Sequence, residues 1–232
     1  MKIALLGYGR MGQAIEKIAI ERGHEIVIRK DVEPLELDLS IADAAIDFSH
    51  PTAAYDNIKS CIEAKVPVVS GTTGWLDKYE EIENYCKAQN GSFIYASNYS
   101  IGVNLFFNLN TYLAQMMSKI NAYKVDMEEI HHIHKLDAPS GTAISLANDI
   151  MNHSHHKNWT IEAPQNDELP IHVKREGEVP GTHSIKYESS IDAIEIKHTA
   201  YNRSGFALGA VVAAEWLQDK KGVFSMKDVL SL

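Results

Sequence analysis

Apolar side chains follow two rhythms along this chain. Up to about residue 100, short apolar runs alternate with stretches in which apolar residues recur every three or four positions. The runs at 2–6 (Lys-Ile-Ala-Leu-Leu), 25–29, 44–48, 66–70 and 92–96 predict five buried strands. Between them, 11–22 carries Ile15, Ile18, Ala19 and Ile20 and stops at Gly23, so a helix is expected there. A second helix opens at Ser49–Thr52 with Pro51 near its first turn, and a third spans 77–89. Strands and helices alternating at this spacing predict a parallel α/β sheet.

Beyond residue 100 the pattern lengthens. Residues 102–120 (Val103, Leu105, Phe106, Leu109, Leu113, Met116, Met117) predict a long helix. Runs at 122–132, 169–175, 182–188 and 191–199 read as strands, with one helix at 141–152 among them. Strands with few helices between them predict a mixed sheet in a second portion of α+β type. The apolar stretch 205–218 predicts a final helix that packs back on the first portion. The expected division is therefore 1–99 with 206–232, and 100–205. No repeat or low-complexity segment interrupts it.

Composition narrows the function. Asp and Glu (31) outnumber Lys and Arg (22), for a net charge of −9, which argues against nucleic-acid or anionic-membrane partners that need a cationic surface. No window approaches the roughly 18 apolar residues of a membrane span, and the four apolar residues before the first glycine are too few for a signal-peptide core. A soluble, cytoplasmic protein is expected. Two cysteines, Cys61 and Cys86, form no disulfide framework in a chain of 232 residues and are read as reduced and structural.

Two motifs carry chemistry. Gly7-Tyr8-Gly9-Arg10-Met11-Gly12 is a G-x-G-x-x-G between an expected strand and an expected helix, the context that a dinucleotide-binding loop requires. In such a loop the first glycine makes the turn, the second lets the backbone approach a pyrophosphate, and the third lets helix and strand pack. The end of the second strand selects the nucleotide, since an acid there favours NAD and a cation the 2′-phosphate of NADP. Arg29 and Lys30 precede Asp31, so NADPH is expected ahead of NADH, although a solvated strand end would look the same.

The second motif is Glu-Ile-His-His-Ile-His-Lys-Leu-Asp-Ala-Pro-Ser-Gly-Thr-Ala, 129–143. Three histidines, a lysine and an aspartate share positions 131–137. Metal binding is one reading, but the Lys135 ammonium repels a cation, and no metal is expected. A polar strand end is another. Acid–base chemistry on an anionic substrate explains most, because imidazole titrates near working pH and lysine neutralises an anion. Ser140 is an expected N-cap, with Gly141 and Thr142 opening a helix whose N–H groups suit a carboxylate. A continuous strand would put His131 and Lys135 on one face and His132 on the other, so the strand must end near His132 for all three to meet one ligand.

These residues resemble the 4-hydroxy-tetrahydrodipicolinate reductase (dihydrodipicolinate reductase) family of lysine and diaminopimelate biosynthesis. The likeness runs nearly end to end, through GYGRMG (7–12), DFS (47–49), SGTTG (70–74), SNYSIGVN (97–104), HHIHKLDAPSGTA (131–143) and HTAYNRSGFALGAVVAAEWL (198–217). It implies a Rossmann-like dinucleotide domain and an α+β substrate-binding and oligomerisation domain. It implies His131 as general acid/base and Lys135 as the second catalytic residue. His132, Gly141, Thr142 and Thr73 would bind substrate, a small cyclic dicarboxylate. Gly7 through Gly12, Arg29, Lys30, Gly71, Thr72, Thr73, Ala96, Ser97, Asn98 and Tyr99 would bind the nucleotide. A homotetramer is implied, joined through the second domain's sheet. The chain departs from the family in a shortened stretch between Asp31 and Ala44, in Arg29-Lys30 where an acidic-then-basic pair is usual, and in 153–168. Another two-domain dehydrogenase would share the glycine loop but not the histidine segment, and a non-catalytic nucleotide sensor would need neither His131 nor Lys135.

Overall fold

The computed structural model describes residues 1–31, 38–202 and 204–232. Of the shortened stretch between Asp31 and Ala44, residues 32–37 lie outside the described residues. The chain divides into two compact units, Met1–Ile101 with Ser204–Leu232, and Gly102–Arg203.

The first unit runs β1 (Lys2–Leu6), α1 (Arg10–Glu21), β2 (Glu25–Lys30), β3 (Ala44–Asp47), α2 (Pro51–Glu63), β4 (Val68–Ser70), α3 (Tyr79–Ala88) and β5 (Ser92–Tyr95). α4 (Ile101–Met117) leads into the second unit, which continues with β6 (Lys124–His131), α5 (Gly141–Met151), β7 (Asn158–Thr160), β8 (Glu168–Arg175), β9 (Gly181–Glu188) and β10 (Ala193–Ala200). The chain then returns to the first unit as α6 (Ser204–Leu217), β11 (Gly222–Phe224) and α7 (Met226–Leu230). β7, β11 and α7 were not expected from the sequence, because three to five residues are too few to display a period.

The six strands of the first unit are all parallel, in the order β11-β5-β4-β3-β1-β2. Helices cover both faces, so the strands are apolar almost throughout. Ile3, Leu5, Ile46 and Val69 meet α1 and α6 on one face, while Ala4, Leu6, Ala45 and Val68 meet α2 and α3 on the other. Order reverses between β1 and β3, and such a switch point opens a crevice at the carboxyl ends of the strands. α6 lies in the first unit, with Ala207, Ala210, Val211, Ala214 and Leu217 completing its first core. Cys61 and Cys86 are buried free thiols, and burial pushes both well up, Cys86 to about 11.

The second unit has a mixed sheet, β10-β9-β6-β8-β7, in which β6 pairs antiparallel with β9 and parallel with β8. α4 and α5 pack on one face through Phe106, Leu113, Leu146 and Ile150 against Val125, Met127, Leu169, Ile171 and Ile185. Along β6 the core-facing positions are Val125, Met127, Glu129 and His131, so the period that builds the core ends on two ionisable side chains.

Candidate active site

Each glycine of the first loop occupies the environment its role demands. Gly7 has φ +99°, and a Cβ on it would lie 2.1 Å from the Phe48 carbonyl oxygen, so neither backbone nor space admits another residue. A Cβ on Gly12 would fall 2.3 Å from the Gly7 oxygen. Gly9, the N-cap of α1, faces open space, which lets a phosphate reach its backbone. Arg10 is exposed and Met11 half-buried at this helix start. The loop therefore fits a dinucleotide pyrophosphate.

The two cations expected to choose the nucleotide are both engaged. Arg29 donates through Nε to Glu16 Oε1 of α1 at 3.0 Å, and the Tyr8 hydroxyl donates to the same carboxylate. The Arg29 and Tyr8 hydrogen bonds hold the Glu16 carboxyl below the usual range. Lys30 Nζ donates to Asn57 Oδ1 at 2.7 Å. Asn57 in turn donates to Asp47 Oδ1 at 2.9 Å, and Asp47 also accepts from Ser49, Ser70 and Thr72. Burial pushes the Asp47 carboxyl up against the pull of these four bonds. This fully buried aspartate fixes the loops after β3 and β4, and neither it nor Asn57 was among the expected site residues.

Two residues expected at the nucleotide have side chains engaged within their own unit. Tyr99 is 1% exposed and its hydroxyl donates to the Ser70 carbonyl at 2.8 Å, so its ring is a core element beside Phe48. The Thr72 hydroxyl is taken by Asp47 and by the Ser49 N–H, so its side chain shapes the loop from within. Gly71 lies against the Phe48 ring, where a Cβ would come within 2.3 Å, while Thr73 and Ser97 are exposed and Ala96 and Asn98 half-buried.

In the second unit β6 ends at His131, and residues 132–135 turn, with Lys135 N–H donating to the His132 carbonyl at 3.1 Å. The strand thus stops where the sequence required. Ser140 caps α5, its hydroxyl accepting from Ala143 N–H at 3.2 Å. The N–H groups of Gly141 and Thr142 lie at the helix start, which has no intrahelical partners for them, and a Cβ on Gly141 would meet nothing within 4 Å. His131 is buried, His132 half-buried, and His134 points outward toward Glu178. The Lys135 ammonium rests on the exposed Asp137 carboxylate at 2.7 Å.

Three residues not expected from the sequence complete this cluster. Glu129, with no exposed surface, accepts from both terminal nitrogens of Arg175 at 3.1 Å and from Ser140 N–H at 2.9 Å. His131 Nδ1 and His183 Nε2 each lie 3.7 Å from Glu129 Oε2, too far for hydrogen bonds. A carboxylate at a core-facing β6 position, two residues before His131, was the available signal. Burial alone would raise the Glu129 carboxyl, but the His183 ring, the Ser140 hydroxyl and N–H, and His131 hold it at about 2. Burial pushes His131 down to about 4; Glu129 opposes this, while His183, Lys135 and Arg175 add to it. Glu129, His131 and His183 place donor atoms within 4.8 Å of one another, a metal-like spacing. The Arg175 guanidinium on the same carboxylate stands against a cation there.

The family model described as Dihydrodipicolinate reductase, N-terminus, matches residues 23–99, and that described as Dihydrodipicolinate reductase, C-terminus, matches 102–230. A 4-hydroxy-tetrahydrodipicolinate reductase of Christiangramia forsetii is 58% identical over 234 residues, covering 100% of this chain and 98% of the relative. One from Archaeoglobus fulgidus is 35% identical over 261 residues, covering 99% of this chain and all of the relative. In fold, the chain is similar to the dipicolinate-bound dihydrodipicolinate reductase of a Paenisporosarcina species, with a TM-score of 0.80 at 23% identity over 97% of each chain. With both halves matched and relatives aligned end to end, the chain belongs to the dihydrodipicolinate reductase family.

Proposed function

We propose that this chain reduces 4-hydroxy-tetrahydrodipicolinate, by way of dihydrodipicolinate, to tetrahydrodipicolinate, as a cytoplasmic enzyme of lysine and diaminopimelate biosynthesis. Loss of water from the substrate gives a conjugated ring imine. A bound reduced pyridine nucleotide supplies the hydride that reaches C4. The electron pair of the C=C bond moves toward the ring nitrogen, and a proton from His131 goes to the ring carbon beside C4, which restores the C=N of the product. The observation that carries this reading is the segment from His131 to Thr142, where a buried imidazole, an ammonium and a bare helix start follow one another.

In that segment the N–H groups of Gly141 and Thr142 hold one substrate carboxylate. Lys135 exchanges Asp137 for the other and withdraws electron density from the ring. His132, whose Nδ1 is buried without a hydrogen bond, turns to the same anion. His131 is neutral at pH 7, and an arriving dianion draws it toward its protonated form, which makes it a proton donor only when substrate is bound. NADPH is the preferred nucleotide, its 2′-phosphate met by Lys30 and Arg29. A homotetramer is the working form.

The test is an assay with freshly made 4-hydroxy-tetrahydrodipicolinate, following oxidation of NADPH and NADH side by side. General acid catalysis contributes roughly 10²- to 10⁴-fold. His131→Gln is expected to lose turnover within that range while the Kd for nucleotide stays within twofold. Full turnover in that variant would remove His131 from the acid's role.

A further inference from the structure

We propose that Glu129 is the positioning residue of this site, holding the His131 ring, the turn that carries Lys135 and the start of α5 in one register through a single carboxylate. The inference rests on the reading of His131 as the proton donor.

The geometry runs through three strands. Glu129 pairs with His183 across β6 and β9, and His131 pairs with Arg175 across β6 and β8. Two positions earlier on the same face of β6 the chain uses Met127, and before that Val125, to fill the core. An ionised carboxylate out of water is costly unless fully paired, so packing alone gives no reason for an acid at this point. Its two oxygens divide the work. Oε1 takes the Arg175 fork, and the same guanidinium donates to the backbone oxygens of Lys135 (3.3 Å) and Asp137 (2.7 Å), so the catalytic turn is clamped through Arg175. Oε2 takes the Ser140 N–H, which sets the N-cap and with it the N–H groups of Gly141 and Thr142.

His131 Nδ1 and His183 Nε2 both face Oε2 at 3.7 Å, but His183 Nε2 already meets the Ser140 hydroxyl at 3.1 Å, which leaves Oε2 to His131 Nδ1. This nitrogen is buried and has no hydrogen bond. A carboxylate opposite favours the proton on Nδ1, so that Nε2 is the atom that exchanges a proton with substrate. The Nε2 edge is given room by Gly181, where a Cβ would stand 3.1 Å away. Catalytic hydrogen bonds are often long without substrate and shorten in the complex, and a 3.7 Å separation closes with a small ring movement. The charged and titratable groups facing His131 are Glu129 from β6, His183 from β9, Arg175 from β8, and Lys135 with its partner Asp137 from the turn. Only Glu129 favours the imidazolium among the groups that shift His131; Lys135, Arg175 and His183 all oppose it.

Glu129→Gln keeps an oxygen for Ser140 N–H and removes the charge. In single-turnover oxidation of reduced nucleotide, the rate is expected to fall at least tenfold. The alkaline limb of its pH profile moves to lower pH by one unit or more, and the Kd for nucleotide is unchanged. Glu129→Asp, which keeps the charge one methylene further away, moves the limb the same way by less. Should the glutamine variant fail to fold, the aspartate variant decides alone. A limb that stays in place while the rate falls by one factor at every pH marks a merely structural acid and overturns the proposal. His131→Gln separates the two layers. If that variant turns over normally, the reading of His131 falls and this inference with it. If it loses turnover and the limb together while the Glu129 variants leave the limb unmoved, only this inference falls.

Discussion

Arg29 and Lys30 are bound within their own unit, and that changes what each can do for a nucleotide. Glu16 and Arg29 form a pair of zero net charge, to which the Tyr8 hydroxyl also contributes. Lys30 is held by a neutral amide, and among the described residues no carboxylate forms an ion pair with it. Lys30 is therefore the stronger attractor for a 2′-phosphate. A hydrogen bond to a charged group is worth about 1.5–3 kcal/mol, so Lys30→Ala should weaken NADPH binding about tenfold or more and leave NADH nearly unchanged. Glu16→Gln releases Arg29 and should tighten NADPH relative to NADH. Fluorescence titration of both nucleotides against both variants measures this, and equal effects on the two nucleotides would end the assignment. The sequence displayed these two cations but not their partners. Glu16 lies thirteen residues earlier on α1 and Asn57 lies on α2, and no local pattern announces a pairing that the fold alone brings about. For the same reason His131 and Lys135 were legible while Glu129, Arg175 and His183 were not: the first two sit in one motif, the others meet only when β6, β8 and β9 lie side by side.

At the scale of elements, strong periods were readable and close approaches were not. Five of the six strands of the first unit and helices α1 to α6 follow from apolar spacing, and the end of β6 at His131 follows from the demand that three side chains share a ligand. The SNY stretch after β5 looks like a ligand loop, and nothing local in it announces that the Tyr99 ring packs in the core with α6. Gly209 explains how near that helix comes: a Cβ there would lie 1.7 Å from the Tyr99 carbonyl oxygen. Gly205, one turn earlier in the same helix, has room, with the nearest contact at 3.5 Å. Overpacking against backbone costs about 1–3 kcal/mol or more, and each kcal/mol lowers Tm by roughly 2–4 °C in a chain of this size. Gly209→Ala is thus expected to lower Tm by about 5 °C or more, while Gly205→Ala leaves it level or slightly higher because alanine favours helix. Calorimetry on the two variants reads the difference. Equal melting would mean that α6 can shift outward, and that its contact with Tyr99 does not set its position.

The whole molecule is organised by a chain that leaves one sheet, builds another, and returns. That return was legible because 205–218 is too apolar for a surface helix, and β11 and α7 behind it were not because they are short. No helix among the described residues is long and apolar enough to cross a membrane. The second unit keeps apolar surface uncovered by its own chain: Leu105, Leu109, Tyr112 and Met116 along α4, and Ile191 and Ile194 at β10. β10 is also the edge of its sheet, with one side of its backbone unpaired. Exposed edges of this kind pair with other chains unless they are blunted or covered, and contiguous apolar patches mark interaction surfaces. A homotetramer joined through this sheet would cover them. Sedimentation at micromolar concentration is then expected to give four times the 25.8 kDa of one chain. Ile194→Lys, which sets a charge on that edge away from the catalytic cluster, should shift the population to smaller species and lower turnover in proportion to the tetramer lost. Wild-type protein that sediments as a fully active monomer would refute the assembly, and an Ile194→Lys variant that stays tetrameric would move the interface from β10 to another surface.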